Sequence, residues 1–372
     1  MIYLDYAATT PISETALHVF NEVSRRYFGN TNSLHDTGTS AKTLYENCKR
    51  QLAQLIGGEP SALHFTSGGT DGNQKAIEAL LHAAKSKGNH IITTALEHKS
   101  IVNYLSYLEA NDGYDVSIVP VDTNGIVDIN ELKKYIKKET VLVSIQHANS
   151  EIGVIQPISQ IGTLLKEKGI LFHCDCVQTF GKIPIDVNRL LVDSLTVSSH
   201  KVYGPKGVGA IYLTPSIEKL DLAALKLPYS GTINLPGIAS FVAAAQETTE
   251  LMEEEYSRLH QLRAYFTDQL LQRQLDVEVI TTHDQLPHII GLIIGKIQGD
   301  YAMLELNRYG IEVSTGSACT AGMQEPSKTL LAIGKDKTKA KQFIRLSLGR
   351  STSKNSLNDV IKTCAKIIQS FS

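Results

Sequence analysis

Ser194-Leu195-Thr196-Val197-Ser198-Ser199-His200-Lys201-Val202-Tyr203-Gly204-Pro205-Lys206-Gly207-Val208-Gly209-Ala210-Ile211-Tyr212 is the stretch on which the reading of this chain turns. Two short apolar runs, 194–197 and 208–212, bracket a lysine and a Gly/Pro turn. Continuous rather than alternating apolar runs suit strands buried on both faces of a largely parallel sheet. Runs of the same kind recur upstream, at 63–66, 90–94, 116–120, 141–145 and 170–174. Between them, residues 71–86 and 158–168 read as amphipathic helices. Strands alternating with helices predict an α/β fold: a mostly parallel, seven-stranded sheet with helices on both faces.

Downstream the pattern changes. Residues 237–274 carry many Glu, Gln, Arg and Leu, with no Pro or Gly after the first residue, and read as one long helix bridging two domains. Short runs at 277–280, 288–294, 311–314 and 343–348 predict a smaller α+β domain. The expected division is a large domain over 13–250 and a small one from 1–12 plus 251–372.

Composition narrows the function classes. The chain has 372 residues, 42% of them hydrophobic and 20% charged, and a net charge of −2. No Lys/Arg block marks a nucleic-acid surface. No run reaches the ~18 apolar residues of a membrane helix. The first residues lack the basic and apolar regions of a secretion signal. Five cysteines, an odd and low count, argue against a disulfide framework and for the reducing cytoplasm. Cys174 and Cys176 read as core thiols rather than a metal pair, and no second Cys or His pair at zinc spacing exists. No metal is expected.

Four stretches carry chemistry. Lys201 follows a buried strand, where desolvation disfavours its charge and makes its amine a nucleophile or base; a strand-end lysine with its head in water is the plainer alternative. Thr66-Ser67-Gly68-Gly69-Thr70-Asp71-Gly72-Asn73 lies after a strand and opens a helix. Its free N–H groups suit an anion, although many such turns only cap. In His173-Cys174-Asp175-Cys176-Val177-Gln178 an acid at a strand end needs a cationic or hydrogen-bonding partner. Glu97-His98-Lys99-Ser100 also follows a strand; by itself His98 is an ordinary loop residue. All four fall at the carboxyl ends of successive predicted strands, the edge where open α/β sheets bind ligands. Together they supply an amine for an aldehyde, an acid for a pyridinium and a Thr/Ser/Gly cup for a phosphate. That is the inventory of a pyridoxal 5'-phosphate site.

On these residues the chain resembles the cysteine desulfurases of the NifS/IscS branch, within the class-V aminotransferase superfamily of fold-type I pyridoxal-phosphate enzymes. The resemblance runs from the opening Tyr3-Leu4-Asp5-Tyr6-Ala7-Ala8-Thr9-Thr10-Pro11 through the four stretches above. It continues through residues 146–157 to Gly316-Ser317-Ala318-Cys319-Thr320 and Ile344-Arg345-Leu346-Ser347-Leu348-Gly349-Arg350. It implies that L-cysteine is converted to L-alanine, with the sulfur held as a persulfide on Cys319. The sulfur would pass to an acceptor protein for iron–sulfur cluster or thio-cofactor biosynthesis. Lys201 would hold the cofactor, Asp175 its ring nitrogen and Gln178 its phenolic oxygen. His98 would stack on the ring and handle the thiol proton. Gly69, Thr70, Ser198 and His200 would bind the phosphate, with Thr232 reaching in from the second subunit of a homodimer. Arg345 would clamp the substrate carboxylate. The small residues around Cys319 predict a loop able to swing a thiolate between cofactor and acceptor.

Two departures stand out. Ser150 occupies a position where the family has an Asn that touches cofactor and substrate, so Ser150 or Asn149 must substitute. The stretch 225–232 keeps Gly231-Thr232 but lacks the family's Gly-rich run and both arginines, and is about six residues shorter. Reduced turnover relative to full-motif relatives is the expectation. Two alternatives remain: a selenocysteine lyase or other class-V lyase or transaminase, and an interaction protein that keeps the fold but has lost efficient catalysis.

Overall fold

Gly, Pro, Asn and Asp punctuate the apolar runs, so each forms a short strand. A computed structural model describes residues 1–85, 87–218, 231–316 and 325–371. Its strands are β1 (Ile2–Tyr3), β2 (Leu63–Thr66), β3 (His90–Thr94), β4 (Asp115–Val119), β5 (Thr140–Ser144), β6 (Leu171–Asp175), β7 (Ser194–Ser198), β8 (Gly209–Leu213), β9 (Val277–Ile280), β10 (Ile289–Ile294), β11 (Ile311–Glu312) and β12 (Phe343–Ser347).

The large sheet has seven strands in the order β2-β8-β7-β6-β5-β3-β4. Only β8 runs antiparallel to its neighbours. Strands β2, β3, β5, β7 and β8 are buried at every residue, which is why their sequences do not alternate. At the edge, β4 alone among the seven is largely exposed. The helix Gly69–Ala84 lies against the sheet through Ala76, Ile77 and Leu80. Gly72 permits the approach: a Cβ there would stand 2.7 Å from Thr196 Cγ2. One core, including Phe65, Phe172, Val197 and Phe241, fills the space between sheet and helices. Burying each such side chain is worth ~1.5–3 kcal/mol.

A second lobe is built on the antiparallel sheet β12-β10-β9, with the helices Met252–Gln272 and Lys354–Ser370 packed together beside it. Leu4, Phe266, Leu292, Ile344 and Val360 share its core. The N-terminal segment belongs here too. β1 pairs in parallel with β11, and Leu4 accepts a backbone hydrogen bond from Ser347.

The single long helix expected over 237–274 is two helices, Leu235–Glu250 and Met252–Gln272, parted at Leu251. No Gly or Pro marks the break. Three glutamates, Glu253, Glu254 and Glu255, form the acidic first turn of the second helix, where negative charge complements the helix dipole. The first helix buries Ile238, Phe241 and Ala245 in the large core, while the second buries Leu259, Leu262 and Phe266 in the other. Two cores pulling on one amphipathic stretch set the break that periodicity hides.

Candidate active site

The parallel strands deliver their C-terminal ends to one edge, where Gly69, His98, Asp175, Ser198 and Lys201 lie. After β2 the chain turns at Gly68, with φ 146° and ψ −175°, a region open essentially to glycine alone. The helix beginning at Gly69 has no side-chain cap, so its first N–H groups are left for another acceptor. Ser198, at the end of β7, lies beside it: a Cβ on Gly69 would be 3.6 Å from Ser198 Cβ. Ser198 Oγ is buried and has no hydrogen-bond partner among the described residues. An uncapped helix start next to an orphaned buried hydroxyl forms a ready anion cradle. Thr70 is exposed on the same first turn.

Lys201 sits not on the strand itself but on the single 3-10 turn Ser199–Lys201 that follows β7. Its Nζ donates to the carbonyls of Ala7 and Ala8, at 2.5 and 2.8 Å. Gln178 Nε2 donates to the same Ala7 carbonyl at 3.0 Å. The N-terminal segment thus runs across the mouth of the site. His200 meets Thr9 Oγ1 through Nδ1 at 3.2 Å. Burial, then Lys201 and Lys206, lower the His200 pKa to about 4, so the ring is neutral at neutral pH.

Asp175 ends β6 and is buried. Its carboxylate accepts from Asn73 Nδ2 at 2.8 Å and from Val177 N–H at 2.9 Å. Asn73 also donates to Ser100 Oγ at 3.0 Å, and Ser100 Oγ lies 2.8 Å from His98 Nδ1. Ser100 N–H donates to that same Nδ1, so the neutral His98 ring carries its proton on Nε2. Burial lowers the His98 pKa more than Asp175 raises it. Asn73 and Ser100 therefore couple two predicted site residues, a role that sequence reasoning missed. The signal was there: Asn73 heads the stripe of Ala76, Ile77 and Leu80 on a helix face that is otherwise apolar.

Arg345, on β12, is buried; Nη2 is 2.6 Å from Asp5 and Nη1 donates to the Ser150 carbonyl at 3.0 Å. Its Nε has no partner among the described residues. Asp5, also overlooked, is the countercharge that holds this guanidinium in place. Ser150 contributes a carbonyl, not its hydroxyl, to that contact. Asn149 is turned to structure: Oδ1 accepts from Glu151 and Ile152 N–H, and Nδ2 donates to Leu96 O and Thr329 Oγ1. These bonds fix the Asn149 amide on the turn before Glu151 and Ile152. Thr232 is exposed, just before the helix Leu235–Glu250. Cys319 and residues 225–230 lie outside the described residues.

A lysine on a turn, a buried acid and an uncapped helix start, all on one sheet edge, define a lysine-anchored cofactor enzyme. The residues fit pyridoxal phosphate: the cradle suits its phosphate, Asp175 its ring nitrogen and Lys201 its aldehyde.

Comparison with known proteins agrees. The family model described as aminotransferase class-V matches residues 2–360. The putative cysteine desulfurase NifS of Bacillus subtilis is 48% identical over 370 residues, covering 98% of this chain and 93% of the relative. Cysteine desulfurase IscS of Dictyoglomus turgidum is 38% identical, covering 99% and 94%. A solved NifS-like protein superposes with a TM-score of 0.90 at 32% identity over the full length of both chains. The chain belongs to the class-V aminotransferase family of fold-type I pyridoxal-phosphate enzymes and, within it, to the sulfur-transferring cysteine desulfurases of the NifS/IscS branch.

Proposed function

We propose that this desulfurase works on free L-cysteine through Lys201, His98, Asp175, Arg345 and Cys319, releasing L-alanine and leaving the sulfur as a persulfide on Cys319. The observation that carries the assignment is the convergence of Lys201, Asp175 and the Gly69 helix start on one edge. When bound, pyridoxal phosphate supplies an electron sink for bonds at the Cα of an amino acid.

The chain's own groups do the rest. The Gly69 and Thr70 N–H groups and Ser198 Oγ hold the phosphate, with the neutral His200 ring as a further donor. Asp175, oriented by Asn73 and Val177, would hold the ring nitrogen and favour its protonated form, and Gln178 would hold the phenolic oxygen. Lys201 Nζ would hold the aldehyde and would carry a proton at the substrate Cα. The proton His98 exchanges with substrate is the one on Nε2, because Nδ1 is tied to Ser100. Arg345 offers its buried guanidinium to the α-carboxylate. The Cys319 thiolate receives the sulfur and hands it to an acceptor protein, for iron–sulfur cluster or thio-cofactor synthesis.

The working unit is a homodimer in which Thr232 completes the partner's phosphate site. Exposed Ile12, Leu17, Tyr27, Phe28 and Leu34 support an apolar face for that contact. Residues 13–250 and 1–12 plus 251–372 form its two domains, consistent with the change of core at Leu251.

The Cys319→Ser variant tests the reading. It should retain the cofactor's absorption yet release no sulfide from cysteine beyond background. Undiminished sulfide release would refute the persulfide role and point to selenocysteine-lyase-type cleavage.

A further inference from the structure

A cleft opens where the two lobes meet, with room for about one small ion or water. Lys182 and Tyr203 wall it on the sheet side, and Glu255, His288 and Arg350 on the other. Lys182 Nζ lies 5.1 Å from the centre of the Tyr203 ring, and Arg350 Cζ lies 4.0 Å from the same centre.

The charges here do not balance. Arg350 is paired with Glu247 at 2.6 Å and donates to Thr248. Glu255 is taken by Arg258 in a two-pronged contact at 2.7 and 2.9 Å. Three cations (Lys182, Arg350, Arg258) thus face two carboxylates (Glu247, Glu255), and Lys182 has no carboxylate within ion-pair reach among the described residues. Neither remaining wall residue supplies the missing charge. Burial holds the His288 imidazole neutral and pushes the Tyr203 phenol up to about 12. Burial, then Arg350, lowers the Lys182 pKa to about 8, so at neutral pH roughly nine-tenths of it is still an ammonium. A half-buried ammonium with no carboxylate in ion-pair reach, and only Glu255 attracting it from farther off, favours an anion beside it.

We propose that this interlobe cleft binds one small monovalent anion of halide type, held by Lys182. The charge balance chooses the class. Arg350 is directed to Glu247 and Thr248, and Arg258 to Glu255, Gly349 and Thr352. The site is left with one net positive charge, which a monovalent halide neutralises and a divalent phosphate or sulfate would overcompensate.

The place gives the anion something to act on. Tyr203 lies two residues beyond Lys201, in a left-handed conformation at φ 64° that a tyrosine adopts only under restraint. Its N–H donates to Thr10 Oγ1, its carbonyl accepts from Ser13 and its hydroxyl accepts from Arg350 N–H. Tyr203 thereby splices the Lys201 turn to the second lobe, and an anion beside its ring fastens that joint.

Two readouts on the holoenzyme test this. Crystals soaked in sodium bromide should show anomalous bromide density in hydrogen-bond reach of Lys182 Nζ; absence of bromide there, with the cleft free of lattice contacts, overturns the proposal. In solution at constant ionic strength, replacing gluconate by chloride should raise Tm along a saturating one-site curve. That increment should vanish in Lys182→Met and survive in Lys182→Arg. A chloride increment that persists unchanged in Lys182→Met, or an equal rise with sulfate, also overturns it. If Lys182→Met does not fold, the bromide density in the unaltered protein decides.

Discussion

At the scale of single residues, the site is governed by groups that stand behind the reacting ones. Asp5 is such a group, since it neutralises the buried Arg345 at 2.6 Å. Removing one partner of a buried pair leaves an uncompensated charge, so Asp5→Ala should destabilise the fold by ~3–5 kcal/mol. It should also raise KM for cysteine more than it lowers kcat. Urea denaturation and steady-state kinetics read the two effects; an unchanged urea midpoint would show that the pair is not the anchor described. His173 gives a pH signature. Its ring is fully buried between Ser194 and Asn73, and burial lowers its pKa to about 4. The unfolded ring binds a proton near pH 6.5, so below that pH the unfolded state takes up more protons than the native one. This group's contribution is therefore whole above pH ~6.5 and lost as pH falls toward 4, a swing of about 3 kcal/mol. In His173→Gln the decline of the urea midpoint with acid should be shallower. An identical acid limb would contradict the assignment. Lys201, Asp175 and His98 stood out in sequence because each follows or ends an apolar strand, whereas Arg345, in the middle of β12, came only from the family resemblance. Asp5, Asn73 and Ser100 were not, because partners 340, 102 and 27 residues away in the chain give them their roles.

At the scale of elements, buried parallel strands announce themselves. β2, β3 and β9 match the expected runs to the residue, and the other central strands differ by a single position. Helix ends are harder to read, as the break at Leu251 shows, because the competing pulls of two cores leave no local mark. The turn at Gly68 is the element on which the proposed phosphate cradle rests. Nothing lies within 4 Å of a Cβ built there, so Gly68→Ala tests backbone conformation alone. Forcing alanine into that conformation costs ~1–3 kcal/mol or shifts the turn, and either result spoils the cradle. Dialysed Gly68→Ala should lose most of its cofactor absorption while the unaltered protein keeps it. Full retention would place the phosphate elsewhere.

At the scale of the whole molecule, the N-terminal segment is the thread that makes one site of two lobes. It pairs with β11, seats Leu4 in the second core and sends Asp5 to Arg345. Ala7 and Ala8 then pass their carbonyls to Lys201, and Thr10 docks on His200. The family-like opening motif was visible in the sequence, but its lacing role needs the register of strands more than 300 residues apart. The shortened 225–232 segment leads to one kinetic expectation at this scale: turnover with cysteine below that of relatives with the full Gly- and Arg-containing motif. Equal steady-state rates, side by side, would remove it.

The most direct test of the account is borohydride reduction of the holoprotein followed by peptide mass mapping. The account predicts one pyridoxyl adduct, on the peptide containing Lys201, and loss of both adduct and colour in Lys201→Ala. An adduct on another lysine, or a protein that takes up no pyridoxal phosphate when offered an excess, would contradict it.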